Sequence, residues 1–374
     1  MTLLITDDFP PRLGGVATYY SEIAKRLPAG MISVLTAPLD PGVAGREMAR
    51  GFPVYREPLI HTSPWAWPKW TTALSALRRL QRQYRFGRWW VGQVLPYGTV
   101  AWRLHRRLGV PYLVTVHGMD IGIPRGRRRA LCGLILRAAH HVVANSQATA
   151  DRLSAYGVPR GKVSVITPGV NHPTAVPATG LRTLTERYHL AGAKVILTVG
   201  RLVERKNHRQ IISVVPSLLR MFPGLKYVIA GDGPYRSPLQ ALAHKTGISD
   251  HVIFTGEATG ETISAWYELA DAVVMVPRRE RSGDVEGFGM TYLEASSHGK
   301  PVIGADLPGI REAVAHGLSG LLVSAEDDQQ LLAALKRLLQ DSQLAHRLGL
   351  QGQDRAVRHF SWDARARQYA ELLA

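Results

Sequence analysis

Two glutamates separated by seven residues, Glu286 and Glu294, bracket the glycines Gly287 and Gly289 in the run EGFGMTYLE. The glycines follow an apolar strand pattern, DAVVMV, and lead into a helical pattern. A glycine-rich approach to a helix start presents free backbone N–H groups and the positive helix end, which favours a phosphate there. Carboxylates beside such a place would accept hydrogen bonds from hydroxyls rather than bind the anion. The stretch therefore predicts a nucleotide-sugar site, with a glycine-capped helix and a solvated Glu294 as the alternative.

Further polar and glycine residues in the second half of the chain also follow strand patterns. The carboxyl ends of parallel strands share one edge of a sheet, so we expect these residues to converge. Two cations beside a glycine-rich helix start suit a diphosphate. No paired-aspartate metal motif stands out, so the cations are predicted to neutralise the leaving group without a metal. The residues in question are Gly200, Arg201, Lys206, Gly231, Gly233 and Gly256.

The first half carries two weaker signals. Gly14 and Gly15 separate a strand pattern from a helix pattern and form a second phosphate-type turn, although tight packing explains the pair equally well. The full G-x-G-x-x-G dinucleotide fingerprint is missing. His117 ends the strand pattern PYLVTVHG, where it would donate to a substrate hydroxyl or support proton transfer. A lone histidine at a strand end is more often structural.

Length and cysteine content limit the class of protein. The chain has 374 residues, enough for two domains, and its single cysteine, Cys132, fits a reducing compartment and a core position. The N-terminal residues do not resemble a signal peptide, and no run of 18 or more apolar residues is present. We therefore expect a cytoplasmic protein, peripheral at most on the inner face of the cell membrane.

The positive charge is concentrated in the first half. Residues 1–173 contain 23 basic and 8 acidic residues, whereas residues 174–374 contain 23 and 21. The segment from Trp65 to Arg88 combines clustered tryptophans with an arginine-rich amphipathic helix, and the segment from Arg125 to Arg137 adds a second basic cluster. Both patterns suit contact with an anionic membrane, although a core-facing helix with a solvated basic face is the more common reason for such a pattern. No nucleic-acid motif is present, so no nucleic-acid partner is expected.

Strand and helix patterns alternate along the whole chain, which indicates an α/β fold. Residues 89–96 read as one strand, and a proline-containing polar stretch at 172–180 reads as a linker. The second half repeats the plan of the first. The sequence thus predicts two doubly wound, Rossmann-like domains facing a central cleft, with residues 1–173 in the first domain and 174–360 in the second.

The motifs together resemble the retaining glycosyltransferases of family 4, which have the GT-B fold. The resemblance is carried by Gly14-Gly15, His117, the segment GRLVERKN, the run GDGP at 231–234, and the two glutamates. The segments DDFPPRLGG and SGDVEGFGMTYLEAS are most like those of phosphatidylinositol mannoside mannosyltransferases. Chains of this fold commonly end in a helix that crosses back to the first domain, which implies residues 361–374 here.

The resemblance also implies roles for individual residues. Arg201 and Lys206 would bind the donor diphosphate, Glu294 the ribose, and Glu286 the hydroxyls of the transferred sugar. His117 would contact that sugar near the reacting carbon. The remaining donor contacts would come from Gly14, Gly15, Gly200, Gly231, Gly233, Gly256, Gly287, Phe288, Gly289 and Met290, and a weaker acceptor contact from Asp8.

The predicted reaction is transfer of a hexose with retention, without a metal or other cofactor. The best candidate for the donor is GDP-mannose, and the acceptor would be a lipid-linked molecule, a glycolipid or a saccharide in the basic first domain. Two alternatives remain: a nucleotide-sugar epimerase with the same fold, and a non-catalytic basic protein that binds lipid or nucleic acid.

Overall fold

The computed structural model describes residues 1–39, 45–49, 51–61, 63, 65, 67–173, 175–258, 260–280, 283 and 285–374. The chain divides into two compact units. Unit 1 comprises Met1–Gly169 and Trp362–Ala374, and unit 2 comprises Val170–Ser361. The sequence predicted the boundary at residue 173 and the return of the chain to the first domain at residue 361.

Unit 1 contains an eight-stranded sheet in the order β3-β4-β2-β1-β5-β6-β7-β8. All pairs are parallel except the edge pair β3–β4, which is antiparallel. Leu3, Leu4 and Ile5 of the central strand are all buried, as expected for a parallel sheet covered on both faces. The strands are β1 (Thr2–Ile5), β2 (Ile32–Thr36), β3 (Gly45–Ala49), β4 (Phe52–Arg56), β5 (Arg88–Val91), β6 (Tyr112–Val116), β7 (His141–Ala144) and β8 (Val163–Val165).

The helices of unit 1 connect these strands, and the last helix of the chain joins them. The Tyr369 hydroxyl of that last helix lies 3.0 Å from the Tyr19 hydroxyl, and either one can be the donor. Trp362 packs so closely on Gly169 that a Cβ at Gly169 would lie 2.7 Å from the Trp362 ring. The helices are α1 (Gly15–Ala24), α2 (Thr71–Tyr84), α3 (Thr99–Leu108), α4 (Met119–Gly122), α5 (Gly126–Ala138), α6 (Gln147–Leu153) and, at the end of the chain, α15 (Trp362–Leu373).

Unit 2 contains a six-stranded parallel sheet in the order β11-β10-β9-β12-β13-β14. Its strands are β9 (Val195–Val199), β10 (Lys226–Ala230), β11 (Val252–Gly256), β12 (Ala272–Met275), β13 (Val302–Ala305) and β14 (Gly320–Val323). Its helices are α7 (Ala178–Arg187), α8 (His208–Leu219), α9 (Arg236–Lys245), α10 (Gly260–Leu269), α11 (Met290–Ser297), α12 (Pro308–Ala313), α13 (Asp328–Gln340) and α14 (Ser342–His359).

The structure corrects the bounds of two predicted segments. The strand predicted at 89–96 ends at Val91, and a kinked turn, Val94–Gly98, in which Leu95 has an extended backbone, follows it. Pro96 lies in that turn and has no N–H to donate to a neighbouring strand. The linker predicted at 172–180 runs into α7, which begins at Ala178; none of its residues is fully buried, and its partly buried Leu184 packs against the core.

Two other expectations concern Cys132 and membrane-spanning helices. Cys132 is fully buried, which confirms its predicted core position. Among the described residues, no helix is both long and apolar enough to cross a membrane.

Candidate functional site

The carboxyl ends of β9, β10 and β11 meet at one edge of the unit 2 sheet. Gly200 N–H donates to the Ala230 carbonyl (2.9 Å), and Gly231 N–H donates to the Gly256 carbonyl (2.8 Å). A Cβ at Gly231 would lie only 2.0 Å from the Gly200 oxygen, and one at Gly233 only 2.4 Å from the Leu202 oxygen. Both glycines also have positive φ. The loops after these strands can therefore approach one another only because glycine occupies these positions.

The loop after β9 is fixed by Asn207, which is buried and has a left-handed backbone (φ 57°). Its side-chain amide donates to the carbonyls of Val276 (3.0 Å) and Ala325 (3.1 Å). These bonds tie the loop to the end of the neighbouring β12 and to the chain after β14. Lys206, one residue earlier, is thereby held at the same sheet edge.

Glu286 binds two cations of that loop with a single oxygen. Its Oε2 accepts hydrogen bonds from Arg205 Nη1 (2.5 Å) and Lys206 Nζ (2.7 Å). The three side chains are only 13–14% exposed. Burial alone would raise the pKa of Glu286, but the charges of Lys206 and Arg205 outweigh it and lower that pKa to about 2. The carboxylate is therefore ionised throughout the neutral range.

Arg201, predicted to act with Lys206, is not part of this cluster. Its side chain is exposed and has no ion-pair or hydrogen-bond partner among the residues that the structure describes. The loop brings Arg205 to Glu286 instead. Arg201 follows Gly200 directly, so its guanidinium remains available at the carboxyl end of β9.

The glycine-rich approach ends at α11, which begins at Met290 with Gly289 as its N-cap in a left-handed conformation (φ 88°). A Cβ at Gly289 would lie 2.5 Å from the Tyr292 ring, so no larger residue fits. Phe288 is buried, and Thr291 Oγ1 donates to the Val199 carbonyl (3.2 Å). The start of α11, with its free backbone N–H groups, thus lies at the end of β9.

Glu294 lies on α11 and accepts a 2.8 Å hydrogen bond at Oε2 from the Tyr267 hydroxyl. Burial raises the pKa of Glu294, against the opposing effects of Tyr267, His298 and Lys206. The Tyr267 ring is itself stacked on His298, with ring centroids 5.0 Å apart. Tyr267 therefore fixes one carboxylate oxygen of Glu294 and leaves the other with hydrogen-bonding capacity.

In unit 1 the candidate residues follow β1, β5 and β6. Asp8 Oδ2 accepts a 2.6 Å hydrogen bond from Gln93 Nε2, and burial raises the pKa of Asp8. His117 Nε2 lies 2.7 Å from the Tyr20 hydroxyl. Gly14 is the N-cap of α1, has φ 143°, and has open space where a Cβ would lie, while Gly15 begins the helix. The open space at Gly14 speaks against tight packing as the reason for this turn.

The sequence did not reveal the partners of the predicted residues, among them Gln93, Arg205, Tyr267 and Tyr20. Arg205 stands beside the predicted Lys206, and the charged run ERK was the available signal. Tyr267 and Tyr20 fall on apolar helix faces, where tyrosine reads as a core residue. Their hydroxyls act at positions that only the folded chain brings together.

Known proteins resemble this chain in both of its halves. A family model described as Glycosyl transferases group 1 matches residues 186–355, and one described as Glycosyl transferase 4-like domain matches residues 14–169. The chain is 31% identical over 381 residues to GDP-mannose-dependent alpha-(1-6)-phosphatidylinositol monomannoside mannosyltransferase of Mycobacterium tuberculosis, covering 99% of this chain and 97% of that protein.

Two further relatives are informative. The chain is 30% identical over 393 residues to D-inositol 3-phosphate glycosyltransferase of Thermobispora bispora, covering 96% of this chain and 89% of that protein. Sucrose-phosphate synthase from Thermosynechococcus elongatus has a similar structure, with a TM-score of 0.84 at 23% identity over 99% of this chain and 97% of that one. At that identity, the likeness speaks for the fold alone.

Proposed function

The chain belongs to the glycosyltransferases of the GT-B fold, as its sequence predicted, and we propose that it transfers mannose from GDP-mannose to a lipid-linked, inositol-containing or saccharide acceptor. The observation that carries this proposal is the cluster of Glu286, Lys206 and Arg205 at the start of α11. The names of the relatives support the choice of donor and acceptor, since they include a GDP-mannose-dependent enzyme and an inositol phosphate glycosyltransferase.

The donor diphosphate would lie at the start of α11. The free N–H groups of that helix, the exposed Arg201 guanidinium and the Lys206 ammonium would share its negative charge. Glu286 already places Lys206 at this edge and would accept hydrogen bonds from hydroxyls of the transferred sugar. Glu294, with one oxygen held by Tyr267, would accept a hydrogen bond from the ribose.

The reaction would proceed with retention and without a metal. The bond between the sugar's anomeric carbon and the diphosphate oxygen breaks, and a bond from that carbon to the acceptor oxygen forms on the same face. The acceptor proton passes to the departing phosphate oxygen. Arg201 and Lys206 would stabilise the charge that develops on the leaving group, which is the task a metal performs elsewhere. No enzyme nucleophile is required in this scheme.

The acceptor would bind in unit 1, at the edge where Asp8 and Gln93 lie. A carboxylate held by a side-chain amide retains an oxygen that can accept a hydrogen bond from an acceptor hydroxyl. Unit 2 would hold the donor. We assign the donor and the acceptor to different units because the two sets of candidate residues fall in different units.

Unit 1 would also contact an anionic membrane from the cytoplasmic side. Between Glu57 and Asp151 the chain contains 14 lysines and arginines and only one acidic residue, Asp120. Trp65 and Trp67, at the start of the predicted segment, are 93% and 84% exposed, while Ala66 between them lies outside the described residues. Exposed indole rings beside cations suit the interface of an anionic bilayer.

The membrane-facing surface would be broader than the two predicted segments. Helix α3 contacts both α2 and α5, and none of these three helices contains a carboxylate. Each presents exposed arginines, among them Arg82 on α2, Arg107 on α3 and Arg128 on α5. We call the outward side of α2, α3 and α5 the basic surface. Its own helices supply charge of one sign, although Arg79 of α2 is paired with Glu57.

The experiment that tests the function is a donor screen followed by transfer. Thermal shifts are measured with GDP-, UDP- and ADP-sugars, and the tightest donor is then incubated with phosphatidylinositol mannoside, inositol phosphate and free saccharides. We expect GDP-mannose to stabilise most, the product to carry an α-mannosyl bond by NMR, and activity to persist in EDTA. Epimerised nucleotide sugar formed without an acceptor would contradict transfer, a β-linked product would contradict retention, and complete loss of activity in EDTA would contradict metal independence.

A further inference from the structure

The Tyr20 hydroxyl lies between two polar atoms from other parts of unit 1. It is 2.7 Å from the Gly92 carbonyl oxygen, at the end of β5, and 2.7 Å from His117 Nε2, at the end of β6. Tyr20 is fully buried on α1. The three residues therefore form a fixed chain of hydrogen bonds inside the unit.

The number of available hydrogens determines the direction of these bonds. A phenol has one hydrogen to donate, and a carbonyl oxygen can only accept. If Tyr20 donated to His117, its oxygen would face the Gly92 oxygen at 2.7 Å with no hydrogen between them. Tyr20 must therefore donate to Gly92, and His117 Nε2 must donate to Tyr20.

The imidazole is neutral, because burial lowers the pKa of His117 to about 4. A neutral imidazole has one N–H, so a hydrogen on Nε2 leaves Nδ1 with a lone pair. Asp120, the nearby carboxylate, accepts from the backbone N–H of His117 (2.8 Å) rather than from its ring. Nδ1 has no hydrogen-bond partner among the described residues. It is also not one of the polar atoms of those residues that are sealed from solvent without a partner.

The ring is also fixed in position. Tyr19 and Tyr20 pack against it edge-on, with centroids 5.2 Å and 5.4 Å away. Gly92 permits the arrangement, because a Cβ at this position would lie 2.8 Å from Thr6 and 3.1 Å from the Tyr20 ring. The chain of bonds thus controls which nitrogen carries the hydrogen and where the other nitrogen lies.

We propose that Tyr20 is a positioning residue that fixes His117 in the Nε2–H tautomer, so that Nδ1 accepts a hydrogen bond from a hydroxyl of the transferred hexose. An accepting nitrogen binds a hydroxyl and disfavours a phosphate oxygen, which distinguishes this site from the cationic edge of unit 2. The assignment of this hydroxyl to the transferred hexose rests on the proposed function. The tautomer itself does not.

The first test is NMR of the full chain labelled with 13C and 15N in histidine. The His117 signal is assigned from its loss in His117→Gln, and we expect the shifts of an Nε2–H tautomer at pH 7. In Tyr20→Phe we expect a shift toward a mixture of tautomers. Tyr19→Phe is the matched control, since it removes a neighbouring phenol that also packs on the ring but does not bond to Nε2; its tautomer should be unchanged. An Nδ1–H tautomer in the wild type would overturn the proposal.

The second test uses donors that lack single hexose hydroxyls. For the wild-type enzyme, kcat/KM should be about 10-fold or more lower with one of the deoxy donors than with the complete donor. Tyr20→Phe should reduce this preference severalfold, whereas Tyr19→Phe should retain it. Deoxy acceptors are run in parallel. A preference lost only with deoxy acceptors would show that Nδ1 meets the acceptor, and an unchanged preference in Tyr20→Phe would overturn the positioning role.

The two tests fail separately. If no nucleotide sugar is transferred but the wild-type tautomer is Nε2–H, the proposed function is wrong and the tautomer stands. If Tyr20→Phe does not fold, the tautomer of the wild-type chain still decides the proposal, because that measurement needs no substitution at Tyr20.

Discussion

Lys206 Nζ lies 2.7 Å from Glu286 Oε2, although the two residues are 80 positions apart along the chain. The contact joins the loop after β9 to the loop after β12, two neighbouring strands of the unit 2 sheet. A cation proposed to bind a diphosphate is thus already placed by a carboxylate proposed to bind the sugar. The pair gives both residues a structural role in addition to the proposed chemical one.

The two proposed diphosphate ligands should therefore respond differently to alanine. Lys206→Ala and Arg201→Ala should each reduce kcat/KM by about 2–4 kcal/mol of transition-state stabilisation, as for loss of a charge-stabilising group. Arg201 is exposed, so Arg201→Ala should retain the wild-type Tm, whereas Lys206→Ala should lower it. Steady-state kinetics and calorimetry measure both quantities. Wild-type kcat/KM in both variants would refute the diphosphate site.

Replacing Glu286 with glutamine should destabilise unit 2. The change leaves Arg205 and Lys206 partly buried without a counter-charge, and loss of one partner of such a group costs about 3 kcal/mol. Asp306→Asn is the matched control, because it removes the carboxylate of an exposed pair with Arg311 and should cost less than about 1 kcal/mol. Urea unfolding compares the two. Equal losses of unfolding free energy in the two variants would show that burial of the Glu286 cluster does not increase its contribution to stability.

Removing the Tyr267 hydroxyl should weaken donor binding. In Tyr267→Phe, Glu294 loses its 2.8 Å hydrogen bond and is no longer held at Oε2. Loss of a hydrogen bond to a charged group is worth about 1.5–3 kcal/mol. We expect a KM for the nucleotide sugar raised by about 10-fold or more, with a smaller effect on kcat. A kcat effect alone, at unchanged KM, would contradict a role for Glu294 in binding the ribose.

Neutralising the basic surface should weaken binding to anionic vesicles. Each cation near such a membrane contributes about 1 kcal/mol, so the triple variant Arg82→Gln, Arg107→Gln, Arg128→Gln should bind about 100-fold more weakly. The triple variant Arg220→Gln, Lys245→Gln, Arg347→Gln removes the same charge from exposed positions of unit 2 and should bind like the wild type. Vesicle sedimentation at two salt concentrations measures this. Equal partition to neutral and anionic vesicles would contradict the membrane proposal.

His208 should make the chain less stable in acid. The residue is 2% exposed, its two ring nitrogens have no hydrogen-bond partner among the described residues, and burial followed by the charge of Lys206 lowers its pKa to about 3. The unfolded chain binds this proton below pH 6.5 and the folded chain only near pH 3, so stability falls as the pH decreases through that interval.

The variant His208→Leu isolates this effect. Between pH 7 and pH 5 the wild type should lose about 2 kcal/mol more unfolding free energy than the variant does. Urea unfolding at the two values, with both proteins in the same buffers, gives the comparison. Parallel pH dependence would show that His208 does not titrate differently in the folded and unfolded chains.

The sequence predicted the sheets better than the contacts between side chains. The strands around Leu4 and Val273 are continuous apolar runs, and burial on both faces of a parallel sheet produces that pattern. Helix α7 was missed because the prolines before it and its polar residues read as a linker, although Leu184 packs against the core of unit 2. Gly289, the N-cap of α11, and Glu294 within that helix were predicted from the spacing of one short run, and their contacts with the donor stay predictions.

The partners of the candidate residues could not be found in the same way. Arg205 reaches Glu286 across 81 positions, and Tyr267 reaches Glu294 across 27. Neither pairing produces a periodic signal. The structure also gives Gly231 and Gly233 a packing requirement in addition to their predicted place beside the donor, since backbone atoms occupy the space of their side chains.

The return of α15 to unit 1 has a consequence for synthesis of the chain. Trp362 and Tyr369 are buried in a unit whose other residues end at Gly169, with all of unit 2 in between. On the ribosome, unit 2 is complete while unit 1 still lacks part of its core. The first domain to be translated is therefore the last to be finished, and a premature stop near the C-terminus damages the N-terminal half of the enzyme.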